Sequence, residues 1–408
     1  MNVRRSPFPK YGDGLGLHRV AAIAGDLGID LEALGGRAGV IVGSNGKGSV
    51  AAMSASLLAQ AARPVGRFTS PHLYSIHERF WIDGADIADE ELGAHWTRVL
   101  HAAEAYQTRA QEKVGGFEFL FLVAASWFQA RACAFTIWEA GIGGRYDPVR
   151  LLRAPRVALT SLDLEHTALL GNTLEQIAFD KIDAAPEGAR VFLPCLSDDL
   201  RARVIAYCAT KRVAAEFVAP DDVFTPPLAG AHQRENMALA IALGRAMTAL
   251  DGDAVRAGLK ATRWPGRLET ISEAPLAVVD VGHTPDAARR ALEGFLAMAG
   301  ARTRVLVCGA SIDKNAEEML AILAPVFPII VAAQAPHKGR PSAEIAELAR
   351  RFNPGAEILA AANMKTAHEI AFERAGPEGA IYAGGGLFLA IAFKATHQGR
   401  DPAALDFF

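Results

Sequence analysis

The 408-residue sequence predicts an α/β protein built as two units, each a mostly parallel sheet covered by helices. Three observations carry that expectation. Short apolar runs alternate with longer helical patterns along the whole chain, which is the signature of βαβ connections. A glycine-rich turn stands directly between an apolar run and a small-residue, helix-like stretch at 40–50. A second alternating set begins after Trp264-Pro265-Gly266.

In chain order, the runs at 40–42, 134–138, 156–160, 190–193 and 216–218 read as strands. Helical patterns at 49–60, 89–107 and 116–129 lie between them. In the second set, strands are expected at 276–281, 304–307, 329–332, 357–360 and 380–382, and helices at 286–299, 316–323, 342–351 and 364–375. The join is expected near 268–275, where turn residues give way to a new apolar strand. The expected division is therefore a P-loop-type, mostly parallel domain over 1–270 and a smaller Rossmann-like α/β domain over 271–408. No internal repeat or low-complexity segment is evident.

Composition narrows the function classes. Hydrophobic residues make up 51% of the chain, enough for large cores. A net charge of −3 and the lack of a Lys/Arg-rich run argue against a nucleic-acid partner. The four cysteines, Cys133, Cys195, Cys208 and Cys308, form no CxxC pair, so thiolate zinc and a disulfide framework are not expected. No apolar stretch approaches the roughly 18 residues of a membrane span, and the N-terminus lacks an apolar signal core. A cytoplasmic monomer acting on small molecules is the expectation, with no membrane or nucleic-acid partner.

The turn at 43–49 carries the strongest chemistry. Gly43, Gly46 and Gly48 let backbone N–H groups turn inward, Asn45 adds a polar side chain, Lys47 brings a full positive charge, and Ser49 offers a hydroxyl to Mg²⁺. The spacing is irregular: Gly48 separates Lys47 from Ser49, where the strict pattern has them adjacent. A glycine-rich structural turn is the competing account. Polar clusters also follow later strands, as expected where parallel sheets place their sites. Glu139, Gly141, Gly143, Gly144, Arg145 and Asp147 follow one strand; Ser161, Asp163, Glu165 and His166 follow the next. Magnesium prefers oxygen, so Glu139 is the better metal ligand and His166 a supplementary one. Taken singly, Glu139 reads equally as a surface carboxylate and His166 as a capping or core histidine.

An ordered set of motifs spans nearly the whole chain. It comprises Gly43-Ser-Asn-Gly-Lys-Gly-Ser49, Thr69-Ser70-Pro71-His72-Leu73, Glu78-Arg79, Glu139-Ala-Gly-Ile-Gly-Gly-Arg145, Glu165-His166, Leu170-Gly-Asn-Thr173 and Lys181. It continues with Gly230-Ala-His-Gln-Arg-Glu-Asn236, Trp264-Pro-Gly-Arg-Leu-Glu269, Asp280-Val-Gly-His-Thr-Pro-Asp286, Asp313-Lys314 and 384–389. In these residues the chain resembles the folylpolyglutamate synthase and dihydrofolate synthase family of the Mur ligase superfamily. The resemblance implies an ATP-dependent amide ligase that activates a carboxylate as an acyl phosphate and joins it to glutamate. Its implied cofactors are ATP and Mg²⁺, and its implied substrates are a folate or pteroate and an amino acid.

Position by position, the resemblance puts Ser49 and Glu139 on the nucleotide magnesium, with His166 and a carbamylated Lys181 near a second metal. It puts Asn236 at the adenine, Arg267 at the phosphates, and Asp280, His283, Asp313 and Lys314 at the cleft between domains. Thr69, Ser70, Pro71, His72, Arg79, Arg145 and Thr284 fall on the substrate side. Helix N-terminal hydrogen bonding for His232 and Gln233, an interdomain salt bridge for Arg267 and an ordinary helix-end lysine at Lys181 are the structural alternatives. Departures concentrate on the substrate side. Thr284 stands where the family carries Asn, Pro148-Val149-Arg150 replaces Ala-Thr-Asn, Glu165 replaces Asp, and Gly385 replaces Ser. Two other functions therefore stay open: a related ligase for a different carboxylate and amine, and a nucleotide-binding homologue with weak catalysis.

Overall fold

Two sheets divide the chain in a computed structural model that describes residues 5–220, 222–312 and 315–405. The first contains β1 (Ala38–Val42), β2 (Val65–Phe68), β3 (Phe80–Ile82), β4 (Ala85–Asp86), β5 (Phe135–Glu139), β6 (Arg156–Leu159), β7 (Arg190–Leu193) and β8 (Ala214–Phe217). Their order is β4-β3-β2-β5-β1-β6-β7-β8. All neighbours pair in parallel except β2–β3 and β3–β4, which form an antiparallel edge. The second sheet contains β9 (Glu269–Glu273), β10 (Leu276–Val279), β11 (Arg304–Cys308), β12 (Ile329–Ala332), β13 (Glu357–Ala360) and β14 (Ala380–Gly384), in the order β13-β12-β11-β14-β10-β9. There β9–β10 alone is antiparallel among the described strands.

The central strands are apolar on both faces because helices cover both, as parallel sheets require. Val40 and Val42 of β1 belong to one core while Ile41 belongs to the other. On the first face Trp138 of β5 is fully buried against Phe68, Phe121 and Phe128, with ring centroids 5.0–5.9 Å apart. Burying each such side chain contributes roughly 1.5–3 kcal/mol. The second sheet likewise has a core on each face, one around Phe295, Phe327 and Tyr382, the other around Val279, Val307 and Ile381.

The expected strands at 190–193, 329–332 and 357–360 form with those bounds, and the helices at 316–323 and 364–375 do too. The join differs from expectation. Residues 269–273 form β9, which turns back antiparallel on β10 with a register irregularity at Ala277/Val278. The chain thus passes between sheets over 262–268. The loop at 70–75 also crosses: Leu73 is buried in the second sheet's core, against Val279 and Val281. This inserted loop and the 262–268 segment hold the strand ends of the first sheet against those of the second.

Candidate active site

Strand order concentrates the chemistry. β1 lies between β5 and β6, so the C-termini of all three meet at one edge: Ile41 is level with Glu139 and Val42 with Leu159. Crossovers leave to opposite sides here, which opens a crevice beyond the strand ends. The turn after β1 enters that crevice and starts the Lys47–Leu58 helix.

The turn is held from β6. Ser44 N donates to Ser161 O at 2.9 Å, Asn45 N to Ser161 Oγ at 2.8 Å, and Thr160 Oγ1 to Asn45 O at 2.6 Å. Gly46 caps the helix with φ +86°, a left-handed conformation that glycine adopts without a Cβ penalty, and a Cβ there would press on the Asn236 amide at 2.6 Å. The helix N-terminus is therefore open to an anion. Lys47 Nζ donates to its own turn, to Gly43 O at 2.7 Å and Ser44 O at 3.1 Å. Two polar atoms in the turn, Ser49 Oγ and Asn45 Nδ2, are buried without a hydrogen-bond partner. Buried polar atoms are rarely left so, and each one here points to a ligand.

Glu139, at the end of β5, is 4% exposed and accepts from Ser70 N at 3.0 Å. Burial pushes its carboxyl up, against the pull of Lys47, the Ser70 N–H, Arg267 and Arg79. Ser70 belongs to the 69–79 loop, where the Ser70–Pro71 peptide is cis. Glu78 shapes that loop by accepting from the N–H groups of Leu73, Tyr74 and Ser75 at 2.7–2.9 Å. Arg79 Nε donates to His72 Nδ1 at 2.9 Å inside it, and Thr69 N donates to Arg79 O. Burial lowers the Arg79 pKa to about 10, with Glu139 and Glu78 opposing.

Beyond β6, Lys181 sits near the end of the Leu174–Ile182 helix with its side chain 1% exposed, and its Nζ donates to Glu165 Oε1 at 2.8 Å. Burial and the neighbouring Lys47 lower its pKa, while Glu165 opposes. Burial raises the Glu165 carboxyl, but Lys47 and Lys181 outweigh it and hold it below the ordinary range. His166, adjacent to this pair, is exposed at φ +47°. Arg145 is turned to Asp183, with Nε 2.7 Å from Oδ2. Among the described residues no group of three or more His, Cys, Asp or Glu is placed to hold a metal by itself.

The second unit supplies the opposite wall. Asp280, just past β10, is 6% exposed, and both its oxygens are taken by backbone: Leu268 N donates to Oδ2 at 3.0 Å and Gly282 N to Oδ1 at 2.8 Å. The expectation of Asp280 at the cleft thus meets a carboxylate that locks the segment carrying Arg267. Arg267 Nη1 donates to Gly266 O at 3.1 Å, and burial lowers its pKa against Asp280 and Glu139. Thr284 caps the Pro285–Ala299 helix through Ala287 N at 3.2 Å and donates to Asn45 Oδ1 at 3.4 Å. That contact ties the two walls together. His283, beside it, is exposed. Asp313 and Lys314 lie outside the described residues.

Asn236, 6% exposed on the Gln233–Met247 helix, donates to Gln233 Oε1 at 2.9 Å beside Gly46. A cavity of about 640 Å³ opens next to that helix start, lined in part by Gly230, His232, Glu235, Asp286 and Arg290. Sequence reasoning missed Glu78 as the organiser of its loop and Glu165 as the partner of Lys181. A buried lysine demands a carboxylate, and Glu165 was the acidic residue at the adjacent strand end.

Comparison with known proteins places this geometry. The model of the Mur ligase, glutamate ligase domain matches residues 266–386. A probable bifunctional folylpolyglutamate synthase/dihydropteroate synthase of Halobacterium salinarum is 33% identical over 341 residues, covering 77% of this chain; the chain spans only 41% of that protein. The dihydrofolate synthase/folylpolyglutamate synthase of Mycobacterium tuberculosis is 31% identical over 384 residues, covering 81% of this chain and 77% of that protein. A solved structure, the M. tuberculosis folylpolyglutamate synthase complexed with ADP, superposes with a TM-score of 0.86 at 26% identity, over 95% of this chain and 96% of that one. The two-sheet architecture is thus a shared fold, and the chain belongs to the dihydrofolate synthase/folylpolyglutamate synthase family.

Proposed function

We propose that this chain is an ATP-dependent acid–amino acid ligase that joins glutamate to a folate or pteroate carboxylate. The observation that carries the reading is the turn at 43–49, whose buried Ser49 Oγ and Asn45 Nδ2 have no protein partner beside the Lys47 charge. Family membership and the ADP-bound M. tuberculosis relative support ATP as the ligand that completes them.

The reaction has two displacements. A carboxylate oxygen attacks the γ-phosphorus of ATP and releases ADP; the amine nitrogen then attacks the acyl carbon and releases phosphate. Negative charge gathers on phosphoryl oxygens in both steps. Lys47 and the N–H groups of Gly46 and Gly48 meet that charge from the cradle, and Arg267 meets it from the opposite wall. Ser49 Oγ, unpartnered, and the Glu139 carboxylate are oxygen donors suited to Mg²⁺, so these residues would hold it, with His166 near a second ion. Bound there, the cation offsets phosphoryl charge. Asn236 and the adjoining cavity take the adenine end. Gly43 and Asn45 fix the turn, and the loop of Thr69, Ser70, Pro71, His72 and Arg79, with Arg145, faces the carboxylate substrate. Thr284 is on the substrate side, Asp280 and His283 are the catalytic candidates of the second unit, and Asp280, with Asp313 and Lys314, serves the nucleotide. Lys181, whose ammonium is disfavoured by burial, reacts as the free amine with CO₂ to give a carbamate and a proton.

In this reading residues 1–270 bind ATP and 271–408 form the ligase unit, jointed at Trp264–Arg267, with β9 starting at Glu269. The protein acts as a cytoplasmic monomer; among the described residues no helix is long and apolar enough to cross a membrane. Purified protein with ATP, Mg²⁺, glutamate and either dihydropteroate or tetrahydrofolate should release phosphate only when both organic substrates are present, with a product heavier by one glutamyl residue. Phosphate release indifferent to the pterin overturns the folate assignment. A second reading, another carboxylate and amine, is favoured by Thr284, which the structure uses as a helix cap; a screen of other acids and amines in the same assay tests it.

A further inference from the structure

A buried arginine next to the phosphate cradle plays no part in the reading above. Arg67, on β2, is 6% exposed. Its guanidinium lies between two indoles, 4.7 Å from the Trp81 ring centroid and 5.0 Å from that of Trp264. Its Nε is buried without a hydrogen-bond partner, and so is the indole N of Trp264. The stack is therefore held by ring faces, which suit a planar, weakly hydrated guanidinium far better than an ammonium. Burial lowers the Arg67 pKa to about 10, with Asp86, Glu139 and Glu78 opposing from a distance.

The other side of Trp264 is the cradle itself. A Cβ on Gly48 would collide with the Trp264 ring, so the glycine that makes the turn irregular is the residue that lets the indole rest on the start of the Lys47–Leu58 helix. Trp264 also stands three residues before Arg267. The intervening Gly266 is fixed on both sides, its N–H donating to Glu269 at 2.8 Å and its carbonyl accepting from Val281 N at 3.1 Å. Trp264 and Arg267 are thus two ends of one short anchored segment, so the Gly48 seat and the Arg267 side of the cleft are set by the same stretch of chain.

We propose that Arg67 is a positioning residue for ATP: clamped between Trp81 and Trp264, it seats Trp264 on Gly48 and so fixes the phosphate cradle and Arg267 in register. The inference rests on the reading that the 43–49 turn binds ATP. A structural filler of the β2–β3 edge would need no charge and no link to the cradle, whereas this side chain acts through one indole on both phosphate-facing walls.

The test is direct titration of the full-length protein with ATP by calorimetry, for wild type, R67M, R67K, W264F and the R67M/W264F pair, with melting curves alongside. The expected result is a tenfold or greater rise in ATP Kd for R67M. KM for ATP should rise with it, while KM for glutamate stays within twofold. W264F should show a comparable loss, and the double variant no more than either single one, as for residues acting in one chain of contact. Folded R67M with an ATP Kd within twofold of wild type, or losses that add in the double variant, overturns the proposal. If R67M melts below the assay temperature, R67K decides: a threefold or greater loss of ATP affinity supports the stack, and unchanged affinity overturns it. Wild type that fails to bind ATP brings down the underlying reading as well, and so is distinguishable from failure of the stack alone.

Discussion

The two walls of the cleft are built on opposite principles. On the first, the turn after β1 leaves Ser49 Oγ and Asn45 Nδ2 buried and unanswered, and Lys47 folds back onto the carbonyls of its own turn. On the second, Asp280 spends both oxygens on backbone N–H groups and Thr284 spends its hydroxyl on a helix cap. The first wall leaves two buried polar atoms unanswered, while on the second Asp280 and Thr284 are satisfied by backbone groups. Substitutions on the first should therefore cost function and spare stability, and substitutions on the second should do the reverse.

Lys47→Ala tests the first half most severely. Removing the one full positive charge of the cradle should lower kcat/KM by roughly 10³-fold, with a melting temperature close to wild type. Near-normal turnover would remove Lys47 from the phosphates. Lys181→Ala comes next, with a loss of about 10²-fold expected if the carbamate is the working species. Short carboxylates such as acetate should restore part of it, and native-state mass spectrometry should find the CO₂ adduct on wild type. An unmodified lysine with no rescue would leave Lys181 as the counter-ion of Glu165 and nothing more. In that case Glu165 would lose its cation in the variant, which should then also melt lower.

Asp280→Ala addresses the second wall. Two backbone N–H groups lose their acceptor, a cost of about 1–3 kcal/mol for each buried donor, so the denaturant midpoint should fall clearly. Asp280→Asn keeps one acceptor oxygen and should fall less. A variant that melts normally yet has lost turnover would show that the carboxylate serves chemistry after all, and the contrast between the walls would fail there.

How far this contrast could be read beforehand differs by residue. The inner parallel strands were legible because they are largely buried and so read as short apolar runs, as at 190–193 and 329–332. Strand β2, inside the sheet, was not, since Gly66 gives way to the Phe128 ring and Arg67 stacks on two indoles, and both break the apolar pattern. Strand β9 was not, because it is half-buried and carries Glu, Thr and Ser. The helix Leu387–His397 is buried over most of its surface, which removes the amphipathic period that marks a helix. At the site, Gly43–Ser49, Glu139 and the 160s cluster were legible because parallel topology puts the ends of β1, β5 and β6 side by side. The backbone duty of Asp280, the Glu165–Lys181 pair and the Trp264–Gly48 contact arise only when distant segments meet.

His232 offers a smaller, pH-dependent probe of the cavity beside the Gln233–Met247 helix. Burial pushes its pKa down to about 4, helped by the cations of Arg290 and Arg267 and opposed by Asp286. A histidine with a depressed folded pKa binds its proton more readily when unfolded. Its contribution to stability is therefore present above pH 6.5 and is lost as the pH falls through about 4. The difference in melting temperature between wild type and His232→Asn should shrink across that window. A difference that stays constant from pH 7 to 4 would mean the ring is solvated in the folded protein.

Thr284→Val should have the smallest effect and draws the line between the walls most finely. The hydroxyl does two things: it accepts from Ala287 N at 3.2 Å as the helix cap, and it donates to Asn45 Oδ1 at 3.4 Å across the cleft. Loss of the cap should cost about 1 kcal/mol, while a hydrogen bond as long as the second contributes only a few tenths of that. Thr284→Asn separates the two, because an Asn side chain caps as well as Thr but reaches Asn45 with a different group. If the second wall is self-sufficient, Thr284→Val should melt lower than Thr284→Asn while the two keep equal ATP affinity. Should both lose ATP affinity and keep their melting temperature, the Asn45 contact would outweigh the cap, and Thr284 would belong to the wall that needs its ligand.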